Sequence, residues 1–202
     1  MDDEIKSAFE KAMEKVEAMN LEEPSESERL SWDAIPRGRK IAADYLSGEG
    51  NLTSAIAEAD PKERSYVIEG AIDVLTASIQ LPRHEVAEKA TTRALDGVKG
   101  LLSDAPGIQE LAERVAYVVE QFKSYGEQQR QQALQQLKQQ FTAQIEQAMR
   151  QQGASAAQQP PNVETLPEFQ QEWMRVKLHL DQQYEGHLQG YRDEIKALLK
   201  KR

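Results

Sequence analysis

Three histidines, one pair of carboxylates and one basic cluster are the side chains whose type and spacing bear on chemistry. A carboxylate-bridged metal centre in a helical bundle needs Glu-x-x-His on two helices. The residues three before His84, His179 and His187 are Leu81, Val176 and Tyr184, so that motif is absent. His179 and His187 lie eight apart, near one helix face, but Gln183 between them is a poor metal ligand. His187 is expected in a helix seam as a hydrogen-bonded polar residue. Glu69 and Asp73, four apart, have the spacing of paired carboxylates for acid–base work or metal binding. They share their stripe with Thr76 and Gln80, and the whole stripe reads as the solvent face of an otherwise apolar helix. Pro36-Arg37-Gly-Arg39-Lys40 either meets an anion or acidic partner or is a solvated turn balancing the acidic N-terminus, and the second is expected.

Other short patterns fail on context. Gly48-Glu-Gly50 lacks the third glycine of a dinucleotide loop and reads as a helix stop, and Gly97-Val-Lys-Gly100 matches an RNA-binding loop only as four letters in helical surroundings. No nucleophile elbow, Walker loop or His-Glu-x-x-His zinc site occurs. The chain has no cysteine, which removes disulfides, thiolate metal sites and cysteine nucleophiles. No catalytic, cofactor-binding or metal-ligating residue is therefore assigned, and no cofactor is expected.

The elements that would position any site are helical. Alanine, glutamine, glutamate, leucine and lysine dominate the 202 residues, aromatics are 6%, and glycine and proline are sparse, so the fold class is all-α. The net charge of −9 is concentrated in residues 1–28, which hold ten acidic and three basic side chains. An acidic chain with no basic face repels a phosphate backbone, so no nucleic-acid partner is expected. The acidic N-terminus does not resemble a signal peptide, and no apolar run approaches the ~20 residues of a membrane span. A cytoplasmic protein with no membrane partner is the expectation.

Residues 1–103 read as an N-terminal multi-helix bundle. Ile5, Phe9, Met13 and Val16 mark an acidic amphipathic helix over 3–20. Ser25 or Ser27 caps a second helix, which Pro36 is expected to interrupt and Gly48 to stop. A short helix follows over 51–59. Asp60-Pro61-Lys-Glu63 has capping-box spacing and starts the most apolar helix, 61–80, the expected centre of the bundle. A helix over 83–102 ends at Ser103-Asp104-Ala-Pro106-Gly107, where the boundary between the two halves is placed.

Residues 108–202 read as a long antiparallel, coiled-coil-like helical hairpin, with helices over 108–152 and 166–201 and a linker at 153–165. Leu111, Val115, Val118, Phe122, Leu137, Phe141 and Ile145 form the first stripe, with Val115, Gly126, Leu137 and Ala148 spaced by eleven. It is weakest between Gly126 and Gln132, and whether the helix kinks at Gly126 is open. Phe169, Trp173, Val176, Leu180, Tyr184, His187, Tyr191 and Leu198 form the facing stripe, close to a heptad. The aromatics among them are expected to fill the seam rather than line a ligand cleft. Residues 128–159 hold fourteen glutamines, which read as a solvated helix flank or, alternatively, an uncharged face for a partner helix.

Two long helices bury one seam and leave much of each wet. Phe9, Met13 and Val16 on the first helix, with Tyr117, Val118 and Val119 beside the main stripe, suggest surplus apolar surface. The functional expectation is a non-catalytic interaction or assembly protein. Its partner is another protein or, through the hairpin seam, a second copy, giving a homo-oligomer and in the simplest case a dimer. The alternative is a helical enzyme or ligand-binding protein with its site around Arg37, Arg39, Lys40, Asp44, Glu69 and Asp73.

Overall fold

The computed structural model describes residues 25–151 and 162–200. The helix expected over 3–20 and linker residues 153–161 lie outside these residues. Among them the chain is all-α, with no strand.

Helix α1 (Glu26–Ser47) opens on a capping box: Ser25 Oγ accepts from the Glu28 amide, and the Glu28 carboxylate accepts from the Ser25 amide at 2.8 Å. It ends at Gly48, whose φ of +98° is the left-handed cap the sequence predicts. Pro36 does not interrupt it, contrary to expectation. The ring lies on the solvent face, while Ala34, Gly38 and Ala42 on the other face are buried. That buried face meets α3 (Arg64–Ala77) at a backbone-to-backbone crossing. A Cβ on Gly38 would stand 2.0 Å from the Val67 carbonyl oxygen, and one on Gly70 2.1 Å from that of Ile35. Packing this close outweighs the roughly 3 kcal/mol a proline costs inside a helix.

Asn51 caps the short α2 (Leu52–Ala57) by accepting from the Ser54 amide at 3.0 Å, and Leu52 and Ile56 point inward. The start signal at Asp60 works differently from the capping box its spacing predicts. Asp60 Oδ1 accepts from the Lys62 amide at 2.8 Å, but residues 61–63 form a turn and α3 begins at Arg64. Glu63 makes no capping bond, because its carboxylate pairs with Arg37 of α1. Helix α3 is central as expected, packing against α1, α2, α4 and α7.

Helix α4 (Glu85–Leu101) is capped by His84, whose Nδ1 accepts from the Ala87 amide at 3.1 Å. Thr91 on its inner face is buried and replaces a missing backbone partner. Its hydroxyl accepts from the Gln80 amide at 2.9 Å and reaches the Gln80 carbonyl at 3.0 Å, tying the α3–α4 loop to α4.

After Gly107 (φ +87°) come α5 (Ile108–Gln121), a π-helical turn (Phe122–Gly126) and α6 (Glu127–Gln151) without a break. The helix is thus continuous at Gly126, and the one-residue widening there re-phases its inner stripe. A 3-10 turn (Val163–Thr165), capped by Asn162, leads into α7 (Pro167–Lys200). Thr165 does not close a capping box; its hydroxyl donates to the Asn162 carbonyl at 2.7 Å.

Helix α7 runs antiparallel to the long helix. Leu198 and Leu111 line one small cleft, Tyr184 meets Phe122, Asp181 meets Arg130, and Phe169 meets Phe141. One continuous core runs from Ala34 on α1 through Ile108 and Val115 to Leu188 and Ile195 on α7, across the break at 103–107. The hairpin base is therefore part of the bundle core. Arg192 of α7 fastens it, donating Nε at 3.0 Å to the carbonyl of Ile79, just past the end of α3.

Candidate functional site: the helical hairpin

The seam divides into an apolar base, a polar junction and an apolar tip. At the base Leu111, Val115, Val118 and Phe122 are buried in the main core, with Tyr184, Tyr191 and Leu198 packed half-buried against it. His187 is a correction: it is exposed, and Leu188, with no exposed surface, takes the seam position. Each helical residue turns ~100°, so from Tyr184 only one of positions 187 and 188 reaches the inner stripe. The apolar one does. The inward set Tyr184, Leu188, Tyr191, Ile195 and Leu198 keeps the alternating steps of four and three that an apolar seam requires. Val118 is likewise buried and Val119 half-buried, so of the residues read as surplus on the long helix only Tyr117 is strongly exposed. Phe9, Met13 and Val16 lie outside the described residues.

The junction coincides with the π-helical turn. The Phe122 ring meets Tyr184 edge-to-face at 5.4 Å between centroids, and the Arg130 guanidinium lies over the Phe122 ring, 4.4 Å from its centre. Arg130 is largely enclosed. It grips Glu127 through Nε and Nη2, reaches the Phe122 carbonyl at 3.4 Å and faces Asp181 at 3.5 Å. Asp181 in turn accepts from Arg83 of the α3–α4 loop at 3.1 Å. This is where the sequence stripe is weakest, and the charges replace apolar contact. Burial pushes the Tyr184 phenol up, Tyr125 adds to this, and Arg130 opposes it.

Beyond the junction Leu137, Val163 and Phe169 form a second, small core, with Phe141, Ile145 and Trp173 packed half-buried around it. Phe141 and Phe169 meet edge-to-face at 5.3 Å. Val176 and Leu180 are half-buried between the two cores, and Ala148 is exposed at the fading end of the stripe. Met174 and Leu178, one turn apart on α7, are 68% and 57% exposed. At the base α3 covers α7; at the tip the described residues supply no third helix. The glutamines of 128–151 are exposed except for Gln129, whose amide oxygen stands 3.4 Å from the Tyr184 hydroxyl.

The other candidates resolve as ion pairs. Arg37 and Arg39 lie within α1, not in a turn, and pair with Glu63 and Asp73. Asp73 also meets Lys196 of α7 at 3.2 Å. Partial burial on its own pushes the Asp73 carboxyl up, but the hydrogen bonds and charges of Lys196 and Arg39 outweigh it and hold it below the usual value. Glu69 is beside it, at a groove of about 480 Å³ between α3 and the end of α7. Thr76 is buried rather than on a solvent face, its hydroxyl donating to the Ile72 carbonyl at 2.7 Å within the helix. Among the described residues no three His, Asp or Glu side chains come together as a metal site, and no helix is long and apolar enough to cross a membrane.

Comparison with known sequences finds one family, whose profile spans residues 53–197, from the first turn of α2 to near the end of α7. No curated protein and no solved structure matches the chain significantly. Most of the bundle core, the junction and the tip thus fall within a single family profile, and the chain belongs to DUF6657, a family of unknown function.

Proposed function

We propose that this chain is a non-catalytic protein–protein interaction module that self-associates through the tip of its hairpin. The observation that carries the reading is the exposed pair Met174 and Leu178 beside a two-helix core with three buried apolar side chains among the described residues, Leu137, Val163 and Phe169. Burying a Met or Leu side chain contributes about 1.5–3 kcal/mol. In an isologous pair each residue is covered twice, and only the 68% and 57% of surface still exposed on Met174 and Leu178 is newly buried. The two therefore offer on the order of 4–7 kcal/mol before the entropy of association. A four-helix arrangement of two tips is the simplest closed assembly. The exposed amides of α6 would flank the contact without adding charge repulsion.

Light scattering on a sizing column tests this. The full chain is expected at twice its 22.8 kDa monomer mass, and Met174→Glu/Leu178→Glu at the monomer mass with unchanged helicity. A monomeric wild type at high concentration defeats the proposal.

A further inference from the structure

Against the polar junction lies a cleft of about 570 Å³, bounded by the α3–α4 loop, the π-helical turn and α7. Four cationic side chains line it, Arg83, Lys123, Arg130 and Lys177, against the carboxylates of Glu127 and Asp181. Two of these cations are already occupied. Arg130 is saturated by Glu127, Asp181 and the Phe122 carbonyl, and Lys123 meets Glu88 at 2.7 Å. The other two have donors to spare. Arg83 gives only its Nε to Asp181, so neither Nη group has an acceptor among the described residues. Lys177 has no carboxylate partner there; its Nζ rests 5.7 Å from the centre of the Trp173 ring.

Lys177 and Asp181 are four apart on α7, so one helical turn separates the ammonium's stem from the carboxylate that orients Arg83. The frame is rigid. Asp181 is held between two guanidinium groups, and Arg130 is pinned over the Phe122 ring. The free groups are therefore a planar two-nitrogen fork from the α3–α4 loop and a point cation from α7, both lining the cleft. A fork binds two oxygens of an oxyanion side by side, and an ammonium takes a third. A phosphate monoester presents three such oxygens and carries about −1.5 to −2 charge near neutral pH, whereas a carboxylate presents two and a single charge.

The geometry points to this cleft as a binding site for a small phosphorylated molecule, its phosphate held by Arg83 and Lys177. The chain's net charge of −9 selects for small size. An anion within the cleft feels chiefly the charges inside the Debye length, ~10 Å at 0.1 M salt, while a long polyanion would meet the acidic remainder. Met174 and Leu178 take no part, so the site stands or falls independently of self-association.

Trp173 supplies the assay, because an anion that draws Lys177 away changes the surroundings of its ring. In a Trp32→Phe background it is the only tryptophan in the chain. Titration with inorganic phosphate at constant ionic strength should give a saturable change in Trp173 emission, with no such change on adding chloride. Lys177→Gln, which breaks no ion pair, and Arg83→Gln should each weaken the response at least tenfold while leaving the circular dichroism unchanged. A response equal in chloride, absent in phosphate, or undiminished in both variants overturns the proposal. Binding to phosphatidic acid vesicles without any response to inorganic phosphate overturns it equally, because the ligand would then be a membrane surface.

Discussion

Replacing Gly70 by alanine should unfold this protein more readily, although the same change at the open helical position Gly186 should stabilise it. The new Cβ would stand 2.1 Å from the Ile35 carbonyl oxygen and 3.1 Å from the Arg39 amide nitrogen. Ordinary contact begins near 3.4 Å, so α1 and α3 must part by about 1 Å, and both opposing atoms are backbone. A gap of 0.5–1 Å forfeits roughly a quarter to a half of each dispersion contact across it. Ala34, Ala42, Val67 and Ala71, all without exposed surface, belong to the core on these two helices. Overpacking of this kind costs about 1–3 kcal/mol or more, and alanine returns up to ~1 kcal/mol of helix propensity. With the lost dispersion across the crossing added, the net expectation is a loss of about 2–4 kcal/mol. At roughly 2–4 °C per kcal/mol for a chain of this size, Tm should fall by about 4–16 °C. A Cβ added at Gly186 on α7 would meet nothing within 4 Å, so Gly186→Ala should raise stability by about 0.5–1 kcal/mol. Calorimetry on the two variants compares them directly. A Gly70→Ala protein as stable as wild type would refute the backbone crossing.

Thr91→Val removes the hydroxyl that serves both backbone groups of Gln80, and denaturant titration should show a loss of about 1–3 kcal/mol with unchanged m-value. Arg192→Met strips the charged donor from the Ile79 carbonyl while keeping most of the apolar stem, and should cost about 2 kcal/mol. Hydrogen exchange should quicken along the base of α7 in that variant. Asp73 has a folded pKa below its unfolded one, so its contribution is present above the unfolded value near ~3.9 and is lost as pH falls through the folded value. Asp73→Asn should therefore flatten the acid limb of the stability profile, and an unaltered limb would show that Lys196 and Arg39 do not stabilise the carboxylate.

Much of the architecture is legible in the residues because local and long-range signals agree. Ser25 with Glu28, Gly48, Asn51 and Gly107 mark helix ends by chemistry that acts within a few residues, and the structure places the ends there. Where tertiary contact decides, the local rule fails. Pro36 should break α1, but the crossing at Gly38 and Gly70 holds the helix together, and no local pattern pairs those two glycines. Thr76 and Thr91 look like surface residues until their hydroxyls are given backbone acceptors. Leu188 is legible as the seam residue from apolarity alone, since the four-three alternation accepts either it or His187. Arg83, Arg192 and Asp181 carry no signal in sequence. The Arg83–Asp181 and Arg192–Ile79 contacts span 98 and 113 residues, and only the return of α7 along the bundle brings these groups together.

Pairing of two copies at the hairpin tip can be read directly as a distance between them. Because the chain has no cysteine, a single spin label at Gln171→Cys, on the exposed face one turn before Met174, reports on that contact by dipolar spectroscopy. The labelled protein should show a defined intermolecular distance that vanishes on dilution with excess unlabelled chain. A label at Gln189→Cys, about 27 Å further along α7, should show a longer distance or none. Intermolecular coupling at Gln189 but not at Gln171, or at neither site, would contradict pairing at the tip.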